Sequence, residues 1–113
     1  MTAKRAILEM GSGNDLHGGD YTKAAVRAVE DAIHHSSLTF IRTLGVDPRT
    51  MQVEVTIGVP HPDRVDKAAV LAVLPHGTGT VQVVEGGLEI ANDAGTNSTV
   101  IANAAAVVRL DLP

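Results

Sequence analysis

Met51-Gln52-Val53-Glu54-Val55-Thr56-Ile57-Gly58-Val59 alternates along its whole length, apolar at the odd positions and polar or glycine at the even ones. Successive side chains of a strand point to opposite faces. A period of two therefore makes this segment a strand with one buried and one polar face. It implies a sheet covered on one side only, and the flanking segments must supply the cover.

Upstream, Gly45-Val46-Asp47-Pro48 reads as a turn, with proline fixing φ after the aspartate. Leu38 to Leu44 reads as a helical continuation or turn that packs Leu38, Ile41 and Leu44 inward. The clear helix runs from about Tyr21 to about Ser36. Ala25, Val26, Val29, Ala32 and Ile33 recur at spacings of three and four and form its apolar stripe. Lys23, Arg27, Glu30, Asp31 and His34 lie opposite and read as a solvated face, and Asp20 is placed to cap the helix. Lys4 to Met10 reads as a first strand. Between strand and helix lies Gly11-Ser12-Gly13-Asn14-Asp15-Leu16-His17-Gly18-Gly19-Asp20, the segment densest in groups that bind or react.

Downstream, Pro60-His61-Pro62-Asp63 ends the strand and caps a second helix at about Arg64 to Leu74, with Val65, Ala68, Ala69 and Ala72 inward. Thr78 to Glu85 is a third strand, Gly86-Gly87 a hairpin turn signal and Leu88 to Ala91 a short return strand. Asn92 to Ser98 is a second polar loop. Thr99 to Leu110 closes the chain as a strand. Its Ala102–Ala106 run also fits a short helix or a bulged, close-packed segment. The order implies an α+β fold: a mixed β-sheet with two helices on one face, in a single domain over residues 1–113. The opposite face is left bare, which favours self-association.

Composition narrows the function. The 113 residues are 44% hydrophobic, almost all Ala, Val, Leu and Ile, with Tyr21 and Phe40 the only aromatics. A thin core of small side chains gains stability from oligomerisation. The net charge of −4, without a basic block or interleaved aromatics, argues against nucleic acid. No run approaches the roughly 18 apolar residues of a membrane span, and Ala6-Ile7-Leu8 is too short for a signal-peptide core. With no cysteine, thiolate catalysis and thiolate zinc sites are excluded. The expected setting is the cytoplasm.

Three chemical readings compete for the Gly11–Asp20 loop. Backbone amides at a helix start bind anions, but Leu16 stands where a dinucleotide fingerprint needs its third glycine, and there is no Gly-Lys-Ser/Thr. Asp15, His17 and Asp20, with Asn14, offer ligands for Mg²⁺, Mn²⁺ or Zn²⁺, in a spacing that matches no strong metal motif. The third reading is a polar small-molecule site. There Asp15 or His17 acts as acid or base, and Lys23, Arg42 or Arg109 meets an anionic group. The second loop faces the first in this reading, across the sheet or a subunit boundary, and a pairing of Ser98 with Lys67 or Lys23 is open. A purely structural reading stands beside these, with glycines in turns and Asp20 as a cap. His34-His35 suits a helix end, and His61 a turn.

Gly11-Ser-Gly-Asn-Asp-Leu-His-Gly18, within Met10 to Ser37, resembles the Lin-type family of conserved hypothetical proteins, marked by a Gly-x-Gly-x-Asp-x-His-Gly motif. The element order and the ending Ala106-Val-Val-Arg-Leu-Asp-Leu112 look like the monofunctional chorismate mutase fold and the similar YjgF-like deaminases. That resemblance implies a homotrimer with sites in the clefts between subunits. Asp20-Tyr21-Thr22-Lys23 is similar to an Asp-Phe-Thr-Arg stretch of the cyanuric acid and barbiturate amidohydrolases. In that comparison Lys23 stands for a substrate-binding arginine, and Gly11 falls where their catalytic lysine would be. The resemblance implies a small cyclic or amide substrate. The expected site is therefore His17 and Asp15 as catalytic residues, with Gly11, Gly13, Asn14, Asp20, Lys23, Asp93, Asn97 and Ser98 binding the ligand. No metal ligand set and no cofactor are identified.

Overall fold

The computed structural model describes residues 4–16, 18–34, 45, 50–74 and 78–110. Its elements are β1 (Lys4–Asp15), α1 (Tyr21–His34), β2 (Gln52–Val59), a 3-10 turn (Pro62–Arg64), α2 (Lys67–Leu71), β3 (Thr78–Glu85), β4 (Leu88–Ala91) and β5 (Ser98–Leu110). The five strands form one mixed sheet built around β5. β1 runs antiparallel along one flank of β5, from Lys4 opposite Leu110 to Asp15 opposite Val100. The other flank is shared: β2 pairs with residues 103–109 and β4 with residues 98–101, both antiparallel. β3 adds to β2 in parallel. The fold class is α+β, with α1 resting on β1, β5 and β2 and touching α2, which rests on β3.

The alternating segment behaves as its pattern requires. Met51, Val53, Val55, Ile57 and Val59 are buried in the core that α1 helps to cover. Burying each Val or Ile there is worth about 1.5–3 kcal/mol. Helix α1 begins after Asp20, whose Oδ1 accepts the Lys23 N–H at 3.0 Å. It buries Ala24, Ala25, Ala28, Val29 and Ala32, with Val26 and Ile33 partly covered.

Four readings are corrected. First, β1 continues to Asp15, so half of the glycine-rich stretch is strand, not loop. Gly11 and Gly13 face α1 at backbone distance. A Cβ on Gly11 would lie 2.4 Å from the Ala32 nitrogen, and one on Gly13 2.3 Å from the Ala28 nitrogen. Ala102, Ala104 and Ala106 continue this small-residue floor from β5, which is why the alanine run is strand throughout.

Second, Gly86-Gly87 is no hairpin, because β4 pairs with β5 rather than β3. The chain crosses the end of β2 there. The Gly86 N–H donates to the Val59 carbonyl at 3.0 Å, and a Cβ on Gly86 would lie 3.1 Å from the Gly58 Cα.

Third, the second helix is short. Asp66 caps it, accepting the Ala68 and Ala69 N–H groups at 3.0 and 3.4 Å, while its own N–H donates to Thr22 Oγ1 at 2.9 Å. That start turns Val70 inward and leaves Ala68 and Ala72 exposed.

Fourth, the charged face of α1 does more than meet solvent. Asp31 Oδ2 accepts the Ser12 N–H at 3.0 Å, and Arg27 donates to the Asn14 carbonyl at 2.7 Å. Both bonds occupy backbone groups on the outer edge of β1, a standard way to blunt an edge strand. The readings at Ser36 to Leu44 and at Val46 to Pro48 lie outside the described residues.

The far face of the sheet carries no layer among the described residues. Leu8 and Met10 of β1, Leu88 and Ile90 of β4 and Ile101 of β5 point there and are exposed, Met10 to 67% and Ile90 to 63%. The close seam between α1 and the sheet yields a sharp expectation. Gly13→Ala places a methyl against helix backbone that has no side chain to rotate away. It should destabilise by about 1–3 kcal/mol or more, read as a lower urea midpoint, whereas Ser12→Ala on the opposite face should change stability little.

Candidate functional site

One end of the sheet gathers the polar groups. After β1, the chain turns through Gly18 and Gly19, with φ of 95° and 60°, values that favour glycine. The turn presses on the start of β5: a Cβ on Gly19 would lie 2.5 Å from Ser98 Oγ. The Gly18 N–H donates to Asn97 Oδ1, and Thr99 Oγ1 donates to the Leu16 carbonyl at 3.2 Å. The two polar loops therefore face each other within one chain. The β4–β5 turn is self-contained: Asn92 Oδ1 accepts the Thr96 and Asn97 N–H groups at 3.0 and 3.3 Å.

Beneath this junction lies Glu89. It projects to the α1 side of the sheet, between Leu88 and Ile90, which point the other way. Its Oε1 accepts the Tyr21 hydroxyl at 2.5 Å and its Oε2 accepts the Ser98 hydroxyl at 2.8 Å. These two donors hold the Glu89 carboxyl below the usual carboxylate range, against the opposing effect of burial, with the positive charge of Arg64 helping. Tyr21 is 2% exposed. Burial first, and then the bond to Glu89, push its phenol up to about 12. His61 stacks on the Tyr21 ring with centroids 6.0 Å apart, and the Arg64 guanidinium sits 4.2 Å from the ring centroid. The turn that ends β2 thus covers the tyrosine with two basic side chains.

Two clefts open around this network. One, of about 390 Å³, runs past Leu16, Ile90, Asn97 and Thr99. The other, of about 290 Å³, is bounded by Gly18, Glu89, Thr96 and Ser98. Both touch Ala91, Asn97 and Ser98, but on opposite sides of the β4–β5 hairpin: the first opens on the bare face with Ile90, and the second, the groove, on the α1 side with Glu89.

The residues expected at a site divide clearly. Asn97 and Ser98 are at the groove. Asp15 is buried and acts on the loop itself: its Oδ2 accepts the Asp20 N–H at 2.9 Å, and Arg27 lies 3.8 Å from its Oδ1. Asp20 caps α1. Lys23 is exposed on α1, Asn14 on β1 and Asp93 in the hairpin turn. Gly11 and Gly13 lie beneath α1, away from the groove. His17 lies outside the described residues. Ser98 donates to Glu89 and makes no hydrogen bond to Lys23 or Lys67, so the Ser–Lys pairing is not formed. Among the described residues no group of three His, Asp or Glu side chains converges as a metal site, and no helix is long and apolar enough to cross a membrane.

Sequence reasoning missed Tyr21, Glu89 and Arg64, and it gave His61 only a turn role. The Leu88-Glu89-Ile90 alternation was the available signal, but it points to buried leucine and isoleucine unless the bare face is known to be apolar.

A family model of conserved hypothetical proteins, Lin0512, matches residues 5–108. The chain belongs to the Lin0512 family. It is also 39% identical to a protein of known crystal structure from Nostoc punctiforme PCC 73102, described as FtsZ-like and of unknown function; the match covers 99% of both chains with a TM-score of 0.85. No curated protein matches. The family and this relative fix the fold and carry no assigned function.

The network has a measurable pH signature. Tyr21 is the single tyrosine. A phenol raised in the folded state contributes stability that is complete below pH 10 and is lost as pH rises towards about 12. Glu89, lowered in the folded state, contributes stability that is present above its ordinary range and lost as pH falls through its folded value. Tyrosinate absorbance should therefore appear near pH 12 in the native protein and near pH 10 in urea. Glu89→Gln should lower the native value and flatten the acid limb of stability.

Proposed function

We propose that this protein binds a small polar molecule in the groove between the Leu16–Asp20 turn and the β4–β5 hairpin, and that a second subunit completes the groove in a homotrimer. The carrying observation is Glu89. An ionised carboxylate fixed by two hydroxyls is an acceptor of constant geometry. Beside it, Ser98 and the Asn97 amide supply donor and acceptor groups at the groove wall. That set suits a neutral ligand with alternating N–H and C=O groups, such as a small cyclic amide, in keeping with the amidohydrolase resemblance.

Binding is favoured over catalysis by the same geometry. A carboxylate held below its ordinary pKa is a weak base, so Glu89 is poorly matched to activating Ser98 as a nucleophile. His17, next to Leu16 and Gly18 in sequence, is the remaining candidate acid–base group. Oligomerisation is supported by the exposed apolar side chains: Leu88 and Ile90 point to the bare face, and Leu16 and Ile90 line the larger cleft.

Dihydrouracil, a cyclic amide that stays neutral at pH 7, is a suitable probe. Titration should shift the amide resonances of Gly18, Ala91 and Ser98, and Ser98→Ala should weaken the response about tenfold while melting as a folded protein. Shifts confined to other parts of the chain would sink the ligand reading. For the assembly, light scattering should give three times the chain mass, and Met10→Glu on the bare face should dissociate the protein without unfolding it. A wild-type monomer would remove the shared-groove model.

A further inference from the structure

The bare face is not uniformly apolar. At the end away from the groove, Arg5 of β1 and Arg109 of β5 are directly opposite each other. Both line a cleft of about 330 Å³ on that face, with Glu54 and Thr56 of β2 and Thr80 and Gln82 of β3. Like charges directly opposite on neighbouring strands repel. One acid answers them: Arg109 Nε donates to Glu54 Oε1 at 2.6 Å. Arg5 is exposed and makes no ion pair among the described residues. Among the described residues, the cleft therefore holds two guanidinium groups and one carboxylate, with one positive charge unanswered.

From this juxtaposition we propose a second binding site, for a small anion carrying a carboxylate or phosphate group. The anion sits between Arg5 and Arg109 and is reached by the hydroxyls of Thr56 and Thr80. Guanidinium groups present planar forks of N–H donors that match two oxygens of either anion, and such bonds are the stronger, charge-assisted kind. Neutral Gln82 and the two threonines add hydrogen-bonding capacity without competing charge. Glu54 orients Arg109 and leaves Arg5 to the ligand. The site is separate from the groove proposed above: Ser98 and Arg109 are eleven residues apart along β5, roughly 35 Å at strand spacing.

The test is a titration at low ionic strength with inorganic phosphate and, separately, succinate, followed by amide and arginine Nε resonances. Shifts at Arg5, Thr80, Gln82 and Arg109, with Arg5→Gln weakening binding tenfold or more at unchanged stability, are expected. Glu54→Gln, which removes the competing acid, should tighten binding severalfold. The preference between phosphate and succinate distinguishes the two ligand sources. Equal binding by wild type and Arg5→Gln overturns the proposal. So does a wild type that binds neither probe while Arg5→Gln lowers the oligomer mass, since an acid from a second copy then fills the cleft. Because the readout residues differ from Gly18, Ala91 and Ser98, failure here leaves the groove reading intact, and failure there leaves this one.

Discussion

The contact on which the structure depends is the backbone-to-backbone approach of α1 to β1 at Gly11 and Gly13. No side chain fills the space between them and Ala24, Ala28 and Ala32. Dispersion between closely packed atoms replaces the bulk that large side chains supply elsewhere. An alanine core buries little area per residue, so its stability rests on density of fit. This explains how a chain with two aromatics folds as one helix layer on one sheet. It also explains the position of the site, because the depth at which α1 is seated fixes where its first residue, Tyr21, enters the protein.

The same economy leaves the opposite face of the sheet without cover. Its side chains are larger than those at the seam: Leu8, Met10, Leu88, Ile90 and Ile101 against Gly11, Gly13, Ala102 and Ala104. A monomer that puts its small residues inside and several large apolar ones outside reverses the usual allocation. The edge of β1 is guarded differently, by Arg27 and Asp31 reaching over from α1. Edge pairing is thus blocked along this part of β1 while the face stays open.

Much of the fold could be read from local pattern. The β2 alternation, the α1 stripe and the Asp20 cap depend on neighbours in sequence, and all three hold. Three features depended on distant partners and were not legible. Gly11 and Gly13 look like turn residues unless a helix is known to lie on them. Gly86-Gly87 looks like a hairpin unless β2 is known to end beneath it. Leu88-Glu89-Ile90 gives the right strand and the wrong face, because the alternation tells which residues share a side and not which side is buried. For the site, Asn97 and Ser98 were found by loop polarity. Glu89 and Tyr21 were hidden, since their pairing spans 68 positions.

That long-range bond also joins the two halves of the structure. Tyr21 belongs to α1, which the glycine seam positions; Glu89 belongs to β4, which the Gly58–Gly86 crossing positions. Burying a phenol hydroxyl without a partner costs roughly 1–3 kcal/mol, so Tyr21 needs an acceptor where α1 leaves it. β4 supplies that acceptor, and Ser98 from the next strand takes its second oxygen. The polar network is therefore the point at which two separately determined close-packings must agree. A shift of either helix or hairpin by the length of a methyl group would break a 2.5 Å bond, so the geometry of the groove is set by residues that never touch it.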